Sequence, residues 1–547
     1  AVGQTVIAPP GGASWFNLTI SNTSVGGATM GANFSGAGTL LVASGGTFGG
    51  GAGFILTLSG TWDNRSTFVP GTSTLSLSGA PTVAGTVVTT FHHVTINAGA
   101  TLSIGAIARM RVSGTWTNNH ATDGFTETGT TIEFAGSPAT IAGALATTFD
   151  NLTIASGTLG LSGVTSVRLR NVWTNEGTFN AGTSTVVFVA IVAADQGRIA
   201  GSNTTTFYAI DLVKVGGMNP TLLLDASDSI VVTTQFTIQA NETLRLEGTS
   251  TLGLGVGLAI DGAGAKLVAD GNKPRLTDTG AYYTFQVRNG GTIDLDGLIV
   301  ANPDNNGLDI EATAAIGVDL DGVDFTNSDG AATGSYVTIR FVGIPANRYS
   351  WSVCTFDNNC QFNVTATDVT SANGAISLTG WSGDKSGEGF DSDPGDPTPS
   401  IVEWPEKVWD GSNSTSWGNN NNWTPVNRPG PADRVLVDFS NPLYSGNQPL
   451  YDQGRNQIAA LYIADGSTLD SQTPNRNLLV SGDATTEADL GAGSRATWIW
   501  RAQSTTSSGG LDIGGNLNND GNLFVQQANP LLFAVRGVFT TRGTFDN

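Results

Sequence analysis

Short runs that alternate Leu, Ile, Val or Phe with Thr or Ser recur along the chain, and they recur in a fixed order. One phrase reads Thr61-Trp62-Asp63-Asn64, then Thr115-Trp116-Thr117-Asn118, then Val172-Trp173-Thr174-Asn175. Each is followed by a run such as Thr74-Leu75-Ser76-Leu77, Thr131-Ile132-Glu133-Phe134 or Thr185-Val186-Val187-Phe188. A second phrase closes each unit: Thr89-Thr90-Phe91, Thr147-Thr148-Phe149 and Thr205-Thr206-Phe207, each leading into another alternating run. The period is about 54–58 residues, which marks a stacked array. Period-two alternation predicts half-buried strands, and the Gly, Asn-Gly and Asp-Gly steps between them predict tight turns. One such unit cannot bury its apolar side alone and does so by stacking on the next. The predicted fold is all-β, an elongated right-handed parallel β-helix (a β-solenoid) with coils rising about 4.8 Å.

Three segments are expected. Residues 1–225 hold the Trp-x-Asn repeats. Residues 226–404 lose that signature and become Asp-rich, as in Thr292-Ile293-Asp294-Leu295-Asp296 and Val318-Asp319-Leu320-Asp321, with coils of about 18–24 residues. They end in a Gly/Ser/Asp/Pro stretch, 382–400, that reads as an acidic linker. Residues 405–547 open on Trp409-Asp410-Gly411, Trp417 and Asn422-Trp423 and finish on Gly543-Thr544-Phe545-Asp546-Asn547, inside another copy of the repeat phrase.

These openings and repeats resemble modules of very large secreted bacterial surface proteins, the class of autotransporter passengers and hemagglutinin-like adhesins. The resemblance covers most of 1–225 and 405–547 and implies parallel β-helices displayed outside the cell. The same architecture hosts adhesins, enzymes and scaffold fibres, so it does not fix a function.

Composition narrows the partners. The net charge is −21 and Lys occurs five times among 24 basic residues, so no basic stripe exists to neutralise phosphates, which argues against nucleic acid. It argues equally against anionic membranes, and no apolar run is long enough to insert as a helix. Charged residues are 13%, well under the usual share of about 25%.

Candidate chemistry is sparse. Glu388, Asp391, Asp393 and Asp396 lie close together among Gly, Ser and Pro and offer carboxylate oxygens to calcium, though not in EF-hand spacing. Asp294, Asp296, Asp319, Asp321 and Asp324 offer a second such group on stacked coils. Cys354 and Cys360 enclose a short loop, and in an exported chain they are expected to form a disulfide. Trp409, Trp417 and Trp423, set among Asn, Gly and Ser, are candidates for contact with surface glycans or for a cap on a new β-helix. Trp62, Trp116 and Trp173 are expected to pack inside. The three histidines, His92, His93 and His120, show no nucleophile, phosphate-loop or zinc spacing around them.

The expected function is therefore a non-enzymatic extracellular fibre subunit or adhesin stalk. The alternative is a carbohydrate-binding or carbohydrate-cleaving β-helix. Because the chain starts and stops within repeat phrases, self-association or continuation into a longer polypeptide is expected.

Overall fold

The computed structural model describes residues 3–7, 14–105, 109–126, 129–143, 146–191, 196–215, 217–270, 272–311, 314, 318–327, 334–340, 349–367, 376–387, 390–392, 402–405, 407–424, 426–439, 444–453, 456–464, 466–471, 476–486, 495–502, 510–527 and 532–546. Strand makes up 55% of the chain, with essentially no helix among the described residues, and the strands stack in parallel as a β-solenoid of about 19 turns. Two compact units divide it, Ala1–Tyr283 and Thr284–Asn547.

In the first unit, most strands pair with the third strand after them. Ile55–Leu58, for example, bonds to Thr74–Leu77, which bonds in register to His93–Ile96 and so on to Thr115–Asn118 and Ala139–Gly143. Three strands therefore complete a turn, and the unit has three faces. Alternation decides which side chains go in. Leu56, Leu75, Val94, Trp116 and Ile141 form one interior column, all nearly inaccessible to water. Burying each large apolar side chain contributes about 1.5–3 kcal/mol. The outward partners on the same strands form a column of small, mostly hydroxyl side chains: Ser35, Thr57, Ser76, Thr95, Thr117, Ala142, Ser162. No break occurs at residue 225, where the sequence changes character: Gly197–Ala200, Thr221–Leu224 and Thr243–Glu247 pair in succession.

The sequence repeat and the structural turn are out of phase. From Thr61–Asn64 to Thr115–Asn118, and from there to Val172–Asn175, the motif returns on every eighth described strand. With three strands to a turn, eight strands make two and two-thirds turns. Trp62, Trp116 and Trp173 accordingly sit in three different sheets, and the motif moves round by one face per repeat.

In the second unit, one stack uses Thr292–Asp296, Val318–Asp321, Tyr349–Ser352, Ile376–Thr379 and Val402–Glu403 on one face. Pro303–Ile310, Ser335–Ile339 and Phe362–Ala366 form another face. The stretch expected to be a linker from 382 is partly built into this stack. Ser382 bridges to Thr355 and Ser392 to Thr365. The buried amide of Asn363 donates to the carbonyls of Lys385 and Gly387, both at 2.9 Å. Backbone anchoring of this kind leaves no apolar alternation to read.

A second stack begins at Lys407–Trp409, which pairs antiparallel with Trp423–Thr424 and parallel with Arg434–Val437. From there the parallel ladder runs through Ala460–Ile463, Ala484–Thr486, Leu517–Asn519 and Phe539–Thr541. The expected boundary near 405 thus coincides with a change of sheet inside this unit.

Candidate functional site

The repeat motif builds the same interior cage three times. Trp62 packs edge-on against Phe68 and Phe91, with centroids 4.7 and 5.1 Å away. Trp116 stands edge-on to Phe125 and tilted against Phe149, and Trp173 stands edge-on to Phe179 and Phe207. Two residues on, a buried Asn clamps the corner. Asn64, Asn118 and Asn175 donate through Nδ2 to Thr89, Thr147 and Thr205 Oγ1 at 2.9, 3.1 and 3.0 Å. Their Oδ1 atoms accept from the amides of Ser66, His120 and Gly177, turning the chain into the next face. Trp62 and Trp116 also donate to the clamp threonines, but the indole N–H of Trp173 finds no partner. The constant role of the Trp is therefore filling, and the hydrogen-bonding device is the Asn–Thr pair.

A third component of the cage was not singled out from the sequence. Gly85, Gly143 and Gly201 lie over the backbone of Asn64, Asn118 and Asn175, with φ of +141°, +125° and +128°. A Cβ at these positions would stand 2.1, 2.1 and 2.3 Å from the Asn carbonyl oxygens. The signal was present as the triplets Val83-Ala84-Gly85, Ile141-Ala142-Gly143 and Ile199-Ala200-Gly201.

Trp409, Trp417 and Trp423 are not available to a glycan: all three are fully buried. This corrects the glycan-contact expectation and leaves the cap. Trp417 and Trp423 stand edge-to-face with centroids 4.6 Å apart, Trp409 meets Trp423 at 5.0 Å, and Tyr451 closes on Trp417 at 5.5 Å. Two of the indoles are spent internally, Trp409 Nε1 on Asn447 O at 2.7 Å and Trp423 Nε1 on Trp417 O at 2.9 Å, while Trp417 Nε1 is buried without a hydrogen-bond partner. Polar neighbours in sequence are consumed by the turn around them: Asn422 Oδ1 accepts from the amides of Asn413 and Ser414.

Cys354 and Cys360 are two buried thiols with no disulfide between them, contrary to expectation. The Cys354 sulfur lies 3.5 Å from Leu320 O on the preceding turn and 3.7 Å from Ser352 O.

Of the proposed calcium ligands, Glu388, Asp393 and Asp396 lie outside the described residues. Asp391 is buried and accepts from Trp404 Nε1 at 2.9 Å. In the second acidic group, Asp294 pairs in register with Asp319 and Asp296 with Asp321, while Asp321 Oδ1 accepts from the Ser352 amide at 3.0 Å. Among the described residues, no three His, Cys, Asp or Glu side chains are arranged to hold a metal ion.

Several of the charges lie in pairs between turns. Glu133, almost fully buried on an outer face, receives Arg109 at 2.9 Å and Arg111 at 2.6 Å from the strand beneath. Arg198 holds Asp225, Arg340 holds Asp309, and Arg542 holds Asp520 in the same way.

Compared with protein-family models, curated proteins and solved structures, the chain matches none.

Proposed function

We propose that the chain is a structural element of an extracellular surface protein, a fibre subunit or adhesin stalk of the secreted bacterial class its repeats resemble. The observation that carries this reading is the division of labour on each strand. The inward column is apolar and clamped at the corners, and the outward column from Ser35 to Ser162 is small and mostly hydroxylated. In such a stack each turn is stabilised by its nearest neighbours, so length can be added without redesigning a core. The cross-turn Arg–carboxylate pairs support the same role, because they tie turn to turn. The carbohydrate alternative loses the three tryptophans that favoured it, since none offers a ring face to a sugar.

The test is surface labelling of intact producing cells with an antibody raised against the purified chain, run beside an assay for sugar release from polysaccharides. Labelling without permeabilisation and no sugar release are expected. Labelling only after permeabilisation, or catalytic sugar release, would overturn the proposal.

A further inference from the structure

Some corners of the first unit are closed by a tight turn in which the fourth residue's amide returns to the first residue's carbonyl. Gly46, Ala100 and Ala265 occupy the fourth position in such turns, bonding to Ala43, Asn97 and Gly262 at 2.8, 3.0 and 2.9 Å. Ser73, Ser184 and Ser250 occupy it in others, bonding to Pro70, Ala181 and Glu247. In these six turns the seat is buried and takes a small uncharged side chain or none.

Two further turns seat a carboxylic acid instead. In Asp225-Ala226-Ser227-Asp228 the Asp228 amide returns to Asp225 O at 3.1 Å, and Ser227 takes φ +74°. In Gln239-Ala240-Asn241-Glu242 the Glu242 amide returns to Gln239 O at 3.0 Å, and Asn241 takes φ +64°. The positive φ at the third residue is shared with the turns that end at Gly46, Ala100 and Ala265, where Gly45, Gly99 and Gly264 take it, but the seats hold carboxyls that are only 8% and 5% exposed.

Neither carboxyl has a cation of its own. Asp228 Oδ2 is buried without a hydrogen-bond partner. The charged groups facing it are Asp225, Arg198 and Glu176, and the guanidinium of Arg198 is already bonded to Asp225 through Nε at 2.6 Å. Glu176 is engaged with Ser202. Glu242 accepts one bond, from the Gln239 amide at 2.6 Å, and the charge that faces it is Asp211. An ionised carboxylate with like-charged neighbours and no counter-ion is disfavoured at such a site.

We propose that Asp228 and Glu242 form a proton-operated lock on the turn they flank. Neutral, they stay in their seats and close residues 221–247; ionised, they leave the seats and loosen that turn. Burial and the neighbouring carboxylates raise Asp228 to about 6, and burial chiefly raises Glu242 to about 7. The sign follows. Below the ordinary carboxylate range both groups are protonated whether the turn is closed or open, and the lock is fully on. As pH rises through that range the open form gives up protons first, so stability is lost progressively until the closed form has also ionised near neutrality. The turn is therefore tightest in acid.

Hydrogen exchange read by mass spectrometry on the full chain at pH 5 and pH 8, corrected for intrinsic rates, tests this. Peptides spanning 221–247 are compared with peptides spanning 152–167, which carry no titratable side chain, as internal reference. Protection of 221–247 relative to the reference is expected to fall about tenfold or more between the two pH values. The fall is expected to vanish in Asp228→Asn/Glu242→Gln, which fixes the neutral form. It is expected to vanish also in Asp228→Ala/Glu242→Ala, which installs the residue found in the same seat at Ala100 and Ala265. Equal protection at both pH values, or a fall that persists in whichever variant folds, would overturn the proposal.

Discussion

Asn118 Nδ2 lies 3.1 Å from Thr147 Oγ1, both atoms buried and 29 residues apart in sequence. The contact joins the strand that carries Trp116 to the corner that leads into Phe149, so it ties the motif's first phrase to its second. Asn118 Oδ1 also receives the His120 amide at 3.0 Å. Asn118→Ala strips partners from buried polar groups at both ends and is expected to cost about 2–4 kcal/mol. Gly143→Ala should cost at least as much, roughly 3 kcal/mol or more, because the new Cβ meets the Asn118 carbonyl in a backbone conformation that only glycine takes readily. Urea unfolding followed by tryptophan fluorescence gives both values; a loss under about 0.5 kcal/mol for either would show that the clamp is dispensable.

The tryptophan cluster at the start of the second stack gives a different readout. With Trp409, Trp417 and Trp423 fully buried, iodide should fail to quench them in the native state, and added oligosaccharides should leave their emission unchanged. Trp417→Ala should cost about 3–5 kcal/mol through the cavity it opens against Trp409, Trp423 and Tyr451. A sugar-dependent emission shift would contradict the packing.

That contrast shows what was legible in the sequence. Period-two alternation identified strands because it depends only on neighbours along one strand, and the 54–58-residue phrases identified stacking. Three strands per turn was not legible, since corners as different as Glu176-Gly177 and the six residues 119–124 both count as one corner. Glycan contact and a cap could not be told apart at Trp409, Trp417 and Trp423 for a related reason. Their chain neighbours are polar, but the side chains that cover them come from one another and from Tyr451, and the polar neighbours fold the loop around them. The glycines over the Asn clamps were visible as repeated letters, yet their purpose depends on a contact made one turn later.

The cysteines separate burial from bonding. Alkylation of the native chain should leave both unlabelled, because Cys354 and Cys360 are each about 1% exposed. In denaturant without reductant, both should react. Labelling of neither under those conditions would establish the disulfide that the loop spacing suggested.

The mismatch between repeat and turn makes the strongest demand on the fold. A strand in the first unit needs only its third neighbour in either direction, so its face is set relative to other strands and not absolutely. Excising Trp116 through Val172 joins Thr115 to Trp173 and restores the phrase Thr-Trp-Thr-Asn on the strand that sits over His93–Ile96. Phe179 and Phe207 then take the places of Phe125 and Phe149 around the retained Trp, and Thr205 replaces Thr147 as clamp. Everything after the join rotates by one face, and every ladder can re-form. Cutting one residue further, Trp116 through Trp173, reverses the pleat, aiming Thr174 and Glu176 inward and leaving the aromatic seat empty. Circular dichroism and urea unfolding of the two deletions should differ sharply: a cooperative β-sheet transition for the first, and loss of cooperativity or aggregation for the second. Equal behaviour of the pair would mean that the ladder register does not govern folding of this unit.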